Sequence, residues 1–175
     1  MLSMFVDESK VRGYTMAAVV CSDAQASRGR RELNALRMKG QKRIHFVRES
    51  DSRRRLVLST LAKLDIHAHL YRAEGLGVHP ARDLCLKAIV DDAVGLGVGR
   101  IVLESDETTV RHDTDVLHRA THDDVGIRSV DYGHEQASAE PLLWAADAIV
   151  WSYTKGGDWL RRVTPMVAAA RLLLP

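Results

Sequence analysis

Three acids stand where burial discourages a charge. Asp7 directly follows Met4-Phe5-Val6, Glu104 ends the run Ile101-Val102-Leu103, and Asp147 lies on an apolar helical stripe between Leu143 and Val150. An ionised carboxylate taken out of water costs several kcal/mol unless it is paired, hydrogen-bonded or bound to a metal. If the segments of Asp7 and Glu104 are nearby strands of one sheet, and the helix of Asp147 packs across their ends, the three can converge on one or two divalent cations. Hard oxygen ligands suit Mg²⁺ or Mn²⁺. Two such ions about 3.5–4 Å apart can activate a water and stabilise a leaving oxygen in phosphodiester hydrolysis. On spacing alone a plainer alternative is favoured, in which Asp7 caps a turn, Glu104 pairs with Arg100 and Asp147 pairs with an arginine.

The elements that must position these acids are partly legible. Met4 to Asp7 and Tyr14 to Cys21, with Gly13 between them, predict a β-hairpin. Helical spacing is found over Arg28 to Met38 and over Ser50 to Leu64, where Ser50, Asp51 or Ser52 can cap. Arg43 to Val47 reads as a third strand, and Ile66 to Tyr71 as a half-buried one. Pro80 opens a long helix ended by Gly95, Gly97 and Gly99. The strand Arg100 to Glu104 follows, then a polar stretch, a helical segment to about His122, and a strand over Gly126 to Tyr132. Ser138 to Tyr153 is the strongest helix: Pro141 suits its first turn, Glu140 suits its positive end, and Leu142, Leu143, Ala146, Ile149 and Val150 make one stripe. Trp159 to Leu174 is helix-like, and its apolar end, Met166 to Leu174, is expected to close the core, a homodimer surface being the alternative. A hairpin followed by alternating helices and strands predicts an α/β fold, a mixed central sheet with helices on both faces.

Composition narrows the class. The 175 residues are 46% hydrophobic and 27% charged, which excludes disorder and suits a single domain over 1–175. Lys and Arg total 25 against 23 Asp and Glu, so any site for a polyanion must be local. Cys21 and Cys85 form no CxxC pair, which fits free thiols in a reducing cytoplasm. No apolar run is long enough for a membrane helix and the first residues lack a secretion signal, so the expected location is cytoplasmic. Competing motifs fail on context. Gly95-Leu96-Gly97-Val98-Gly99 precedes a strand instead of joining a strand to a helix. His118 and His122 lack the glutamate of HExxH, and His134-Glu135 lacks a following Pro-Cys-x-x-Cys.

Phe5-Val6-Asp7-Glu8-Ser9, followed by a hairpin partner, resembles the Asp-Glu-Ser-Gly opening of the ribonuclease H-like family known as domain of unknown function 3800. Ala146-Asp147-Ala148-Ile149-Val150 resembles its late Ala-Asp segment. The blocks Glu140 to Trp144 and Lys155 to Trp159 resemble those of small uncharacterised actinobacterial proteins related to it. Lys10 replaces the usual Gly, and Trp144-Ala145-Ala146-Asp147 replaces Gln-Ile-Ala-Asp. The resemblance implies a ribonuclease H-like fold whose acids bind Mg²⁺ or Mn²⁺ for nuclease chemistry on RNA or DNA. Asp7 becomes the first-strand acid and Asp147 the late-helix acid. Glu104 is the middle acid, with Asp106 as its alternative, and Glu49 is a candidate fourth ligand. Glu8 points to the opposite face of the strand. The alternative function is a catalytically silent nucleic-acid-binding or protein-interaction module. Among the basic clusters, Lys155, Arg161 and Arg162 with Trp159 is preferred for nucleic acid, because it follows the helix of Asp147 and offers a stacking ring.

Overall fold

The computed structural model describes residues 1–122 and 130–175. Among these, β1 (Leu2–Ser9), β2 (Tyr14–Ser22), β3 (His67–Ala73), β4 (Val98–Glu104), β5 (Asp131–Glu135) and β6 (Val167–Leu173) form one sheet in the order β5-β4-β1-β2-β3-β6. The hairpin β1-β2 turns through Arg12 and Gly13, both at positive φ, and β2 pairs antiparallel with β3. The remaining pairs, β1-β4, β4-β5 and β3-β6, are parallel. This is the mixed sheet opened by a hairpin that the sequence predicts.

Alternation along β1 divides the interior into two cores. Phe5 packs with Val102 under α1 (Asp23–Ala35), α2 (Asp51–Leu61) and α5 (Pro141–Lys155). Met4 and Val6 pack with Ile101 and Leu103 under α3 (Val78–Gly95) and α4 (Val110–Thr121). The helices are set by their caps. Ser22 and Gln25 form a reciprocal capping box, so α1 begins at Asp23, earlier than apolar spacing suggests. At α5, Glu140 accepts the Leu142 N–H at 3.0 Å and a forked pair of bonds from Arg30, which ties α5 to α1 at its start.

Three expectations change. Arg43 to Val47 is not a strand: it is irregular chain leading into a 3-10 turn at Phe46–Arg48. Ile44 and Phe46 are buried as alternation implies, but they pack beneath α5 while Arg54 takes the carbonyls of Phe46 and Val47. Trp159 to Leu174 is not one helix. The short α6 (Gly157–Val163) gives way to a 3-10 turn containing Pro165, which cannot donate to a continuing helix, and then to β6. Met166 enters the core and Val167 and Leu173 pack against it, but Leu172 and Leu174 are exposed, so this stretch is the edge strand β6 and closes the core only in part. The predicted strand over Gly126 to Tyr132 overlaps β5, Asp131–Glu135, only at Asp131 and Tyr132; Val130 is a bend, and positions 126–129 lie outside the described residues. No helix among the described residues is long and apolar enough to cross a membrane.

Candidate active site

Register brings the first two acids together. Val6 stands opposite Leu103 in the parallel β1-β4 pair, so Asp7 and Glu104 follow one step on, and both inherit the face of Phe5 and Val102. That face is covered by α5, and Asp147 looks onto it from among Leu143, Ala146, Ala148 and Val150. The three carboxyls are near enough to act on one another. Burial, then the charges of Asp147 and Glu104, push the Asp7 carboxyl well above the usual carboxylate range, against a 2.7 Å hydrogen bond from the Glu8 N–H. Burial likewise raises Asp147, although the Phe46 N–H and His45 act to lower it.

Each of the outer two acids has a partner that the sequence did not disclose. The Arg43 guanidinium donates to Glu104 at 2.5 Å. The Phe46 N–H donates to Asp147 Oδ2 at 3.0 Å, and His45 Nδ1 lies 3.6 Å from the same oxygen. Arg100, the partner foreseen for Glu104, instead reaches Glu135. Glu104 is held by Arg43 and Asp147 by the Phe46 turn, and among the described residues no group of three or more His, Cys, Asp or Glu is placed to hold a metal ion. The donor set itself fits a hard divalent cation: it is carboxylate only, and its mutual repulsion is what a dication relieves.

Asp7 and Glu104 line a hollow of about 530 Å³, with Asp106, Thr108 and Gln136 among its other walls. Asp106 is exposed, and its carboxyl is held below its ordinary range by the hydroxyl and N–H of Thr108. Glu49 is buried and already engaged by Gln41 at 2.6 Å and Arg53 at 3.1 Å. Glu8 points to the other face, as alternation requires, where Arg82 meets it at 2.6 Å. Arg82 also forks onto Asp113, and donates to the Tyr14 hydroxyl at 2.7 Å. No sequence motif marks this network, because its members come from β1, β2, α3 and α4.

The basic cluster Lys155, Arg161 and Arg162 sets three cations against one acid. Asp158 pairs with both Arg161 and Arg162. Trp159 packs edge-on against Trp151, with the Arg55 guanidinium 5.6 Å from its ring centroid. Lys155 Nζ lies 6.0 Å from the Trp151 centroid and lines a separate hollow with both tryptophans. Cys21 and Cys85 are free and buried, and burial pushes each thiol up to about 12.

A scan against protein-family models gives no match, and a search of the curated proteins gives none. Among solved structures, the chain is similar to RNase HII in the structure of the PCNA:RNase HII complex from Archaeoglobus fulgidus. The two share a TM-score of 0.56 and 16% identity over 94% of this chain and 77% of that one. The fold is ribonuclease H-like. In this ribonuclease H-like sheet, the pairing of the central strand β1 with its parallel neighbour β4 runs out at the acids, and α5 packs there with the third.

Proposed function

We propose that the chain is a metal-dependent nuclease, a single domain acting on RNA or DNA in the cytoplasm, in which Asp7, Glu104 and Asp147 hold Mg²⁺ or Mn²⁺. The observation that carries this reading is the convergence of carboxyls from β1, β4 and α5 on one sheet end, where burial and mutual repulsion raise Asp7. A structural acid is normally relieved by a cationic partner. Asp7 has an N–H from Glu8 and carboxylates around it. The chemistry a divalent ion supplies there is activation of water and charge stabilisation at the leaving oxygen of a phosphodiester. Glu104 would join the set with an ion bound only by releasing Arg43, with which it is paired here. The likeness to an RNase HII supports nucleic acid as the substrate class. The resemblance of Phe5–Ser9 and Ala146–Val150 to the domain of unknown function 3800 family, which no family-model match accompanies, points to the same two acids, Asp7 and Asp147.

One observation favours a second reading, a silent binding module: the Arg43–Glu104 pair already neutralises the middle acid. Cleavage of labelled single- and double-stranded RNA, DNA and RNA/DNA hybrid in Mg²⁺ and in Mn²⁺ separates the two. Cutting by the wild type that Asp7→Asn and Asp147→Asn both lose is the expected result. No cutting, or cutting that survives in both variants, would leave the binding module.

A further inference from the structure

The segment between α1 and α2 carries a second hollow, of about 520 Å³, whose walls include Lys42, Arg43, His45, Arg48 and Arg53 against the carboxylate of Glu49. This concentration of positive charge is local, since the whole chain carries only +2. It is also incompletely compensated. Arg53 is paired with Glu49 and Arg43 with Glu104, but Lys42 and Arg48 are exposed, and among the described residues no carboxylate lies within 4.0 Å of either. Two of its residues also touch the acids. Arg43 reaches Glu104, His45 approaches Asp147, and Lys42 and Arg43 line a further recess together with Glu104 and Gln136. Cations on a rim beside a floor of carboxylates are the polarity a phosphodiester chain needs: flanking phosphates meet the cations, while one phosphate is carried over the acids.

We propose that the Lys42–Arg48 segment is the phosphate-backbone track of this protein, with Lys42 and Arg48 each receiving a phosphate of a nucleic-acid strand whose next phosphates reach Arg43 and the acids. This rests on nucleic acid as the substrate class of the proposed nuclease. It sets a phosphate track apart from the Lys155, Arg161 and Arg162 cluster, where Asp158 engages both arginines. Contacts of this kind give affinity without sequence preference and depend steeply on salt.

The test is fluorescence anisotropy with labelled single-stranded RNA and DNA in EDTA, over a salt series. Wild type, Lys42→Ala/Arg48→Ala and Arg161→Ala/Arg162→Ala are compared, each first shown by circular dichroism and thermal melting to fold as wild type. The expected result is a loss of about tenfold in affinity for the Lys42/Arg48 variant, its log–log salt slope becoming shallower by about 0.7 for each phosphate contact removed. The Arg161/Arg162 variant stays within about twofold of wild type. Unchanged binding by the Lys42/Arg48 variant, or no binding by the wild type to either strand, overturns the track. The nuclease reading is judged separately, by cleavage in Mg²⁺ and Mn²⁺ with the same preparations, so a wild type that cuts while the Lys42/Arg48 variant binds normally sinks the track alone.

Discussion

Asp7 is the residue on which stability and the proposed chemistry pull apart. Its carboxyl is raised by burial and by neighbouring acids, so the folded protein binds that proton more readily than the unfolded chain does. Lowering the pH from neutral through the folded value towards the ordinary 3.8 therefore adds stability at this position, and raising it removes that contribution. Asp7→Asn, which abolishes the charge but can still accept the Glu8 N–H, should stabilise the apo protein at neutral pH by about 1 kcal/mol, or about 2–4 °C in Tm. In differential scanning calorimetry over a pH series, the gap between variant and wild type should shrink as the pH falls. The same variant should lose the rise in Tm that Mg²⁺ or Mn²⁺ gives the wild type by mass action. A wild type that melts identically with and without either ion would remove the reason for reading the acids as a metal site.

At the scale of elements, the turn Phe46–Arg48 matters more than its length suggests. Arg54 of α2 holds it through the carbonyls of Phe46 and Val47, at 3.0 and 2.6 Å, and stacks 4.5 Å from the Trp151 centroid. The turn in turn presents the Phe46 N–H to Asp147. Arg54→Ala should cost about 2 kcal/mol in urea unfolding, since it removes charge-assisted hydrogen bonds to the chain. Arg54→Lys should recover only part of this, because an ammonium cannot fork across two carbonyls while stacking. This turn also marks where sequence reading runs out. The hairpin and α5 were legible because apolar periodicity, Gly13 and Pro141 act locally. The acids were legible because a charge at the end of an apolar run is conspicuous by itself. Arg43 and His45 have no such local signature: the turn beside them meets Asp147 from 101 positions away in the chain. For the same reason β6 reads as helix in the sequence, since Val167 to Leu173 has no clean alternation and owes its strand conformation to the free edge of β3.

At the scale of the whole molecule, a polar network beneath the sheet fastens separate elements together. Arg82 joins Glu8 of β1, Tyr14 of β2 and Asp113 of α4, and His134 of β5 lies 3.4 Å from Asp113. Burial pushes the Asp113 carboxyl up, yet bonds from Arg82 and His134 outweigh it and hold the group below its ordinary range. Stability from this pair is thus present at neutral pH and lost as the pH falls through that depressed value, opposite in sign to Asp7. Arg82→Met strands a fully buried carboxylate and should cost about 3–5 kcal/mol in chemical denaturation. A loss under about 1 kcal/mol would show that Asp113 finds other relief. The parallel pair β3-β6 carries a different consequence, one of timing. Ala68 of β3 pairs with Val167 of β6, roughly a hundred positions later, so at about 5–20 residues per second the partner strand emerges some seconds after β3. Throughout that interval on the ribosome, the backbone of β3 presents an unpaired edge, and a chaperone or a neighbouring nascent chain can reach it before β6 does.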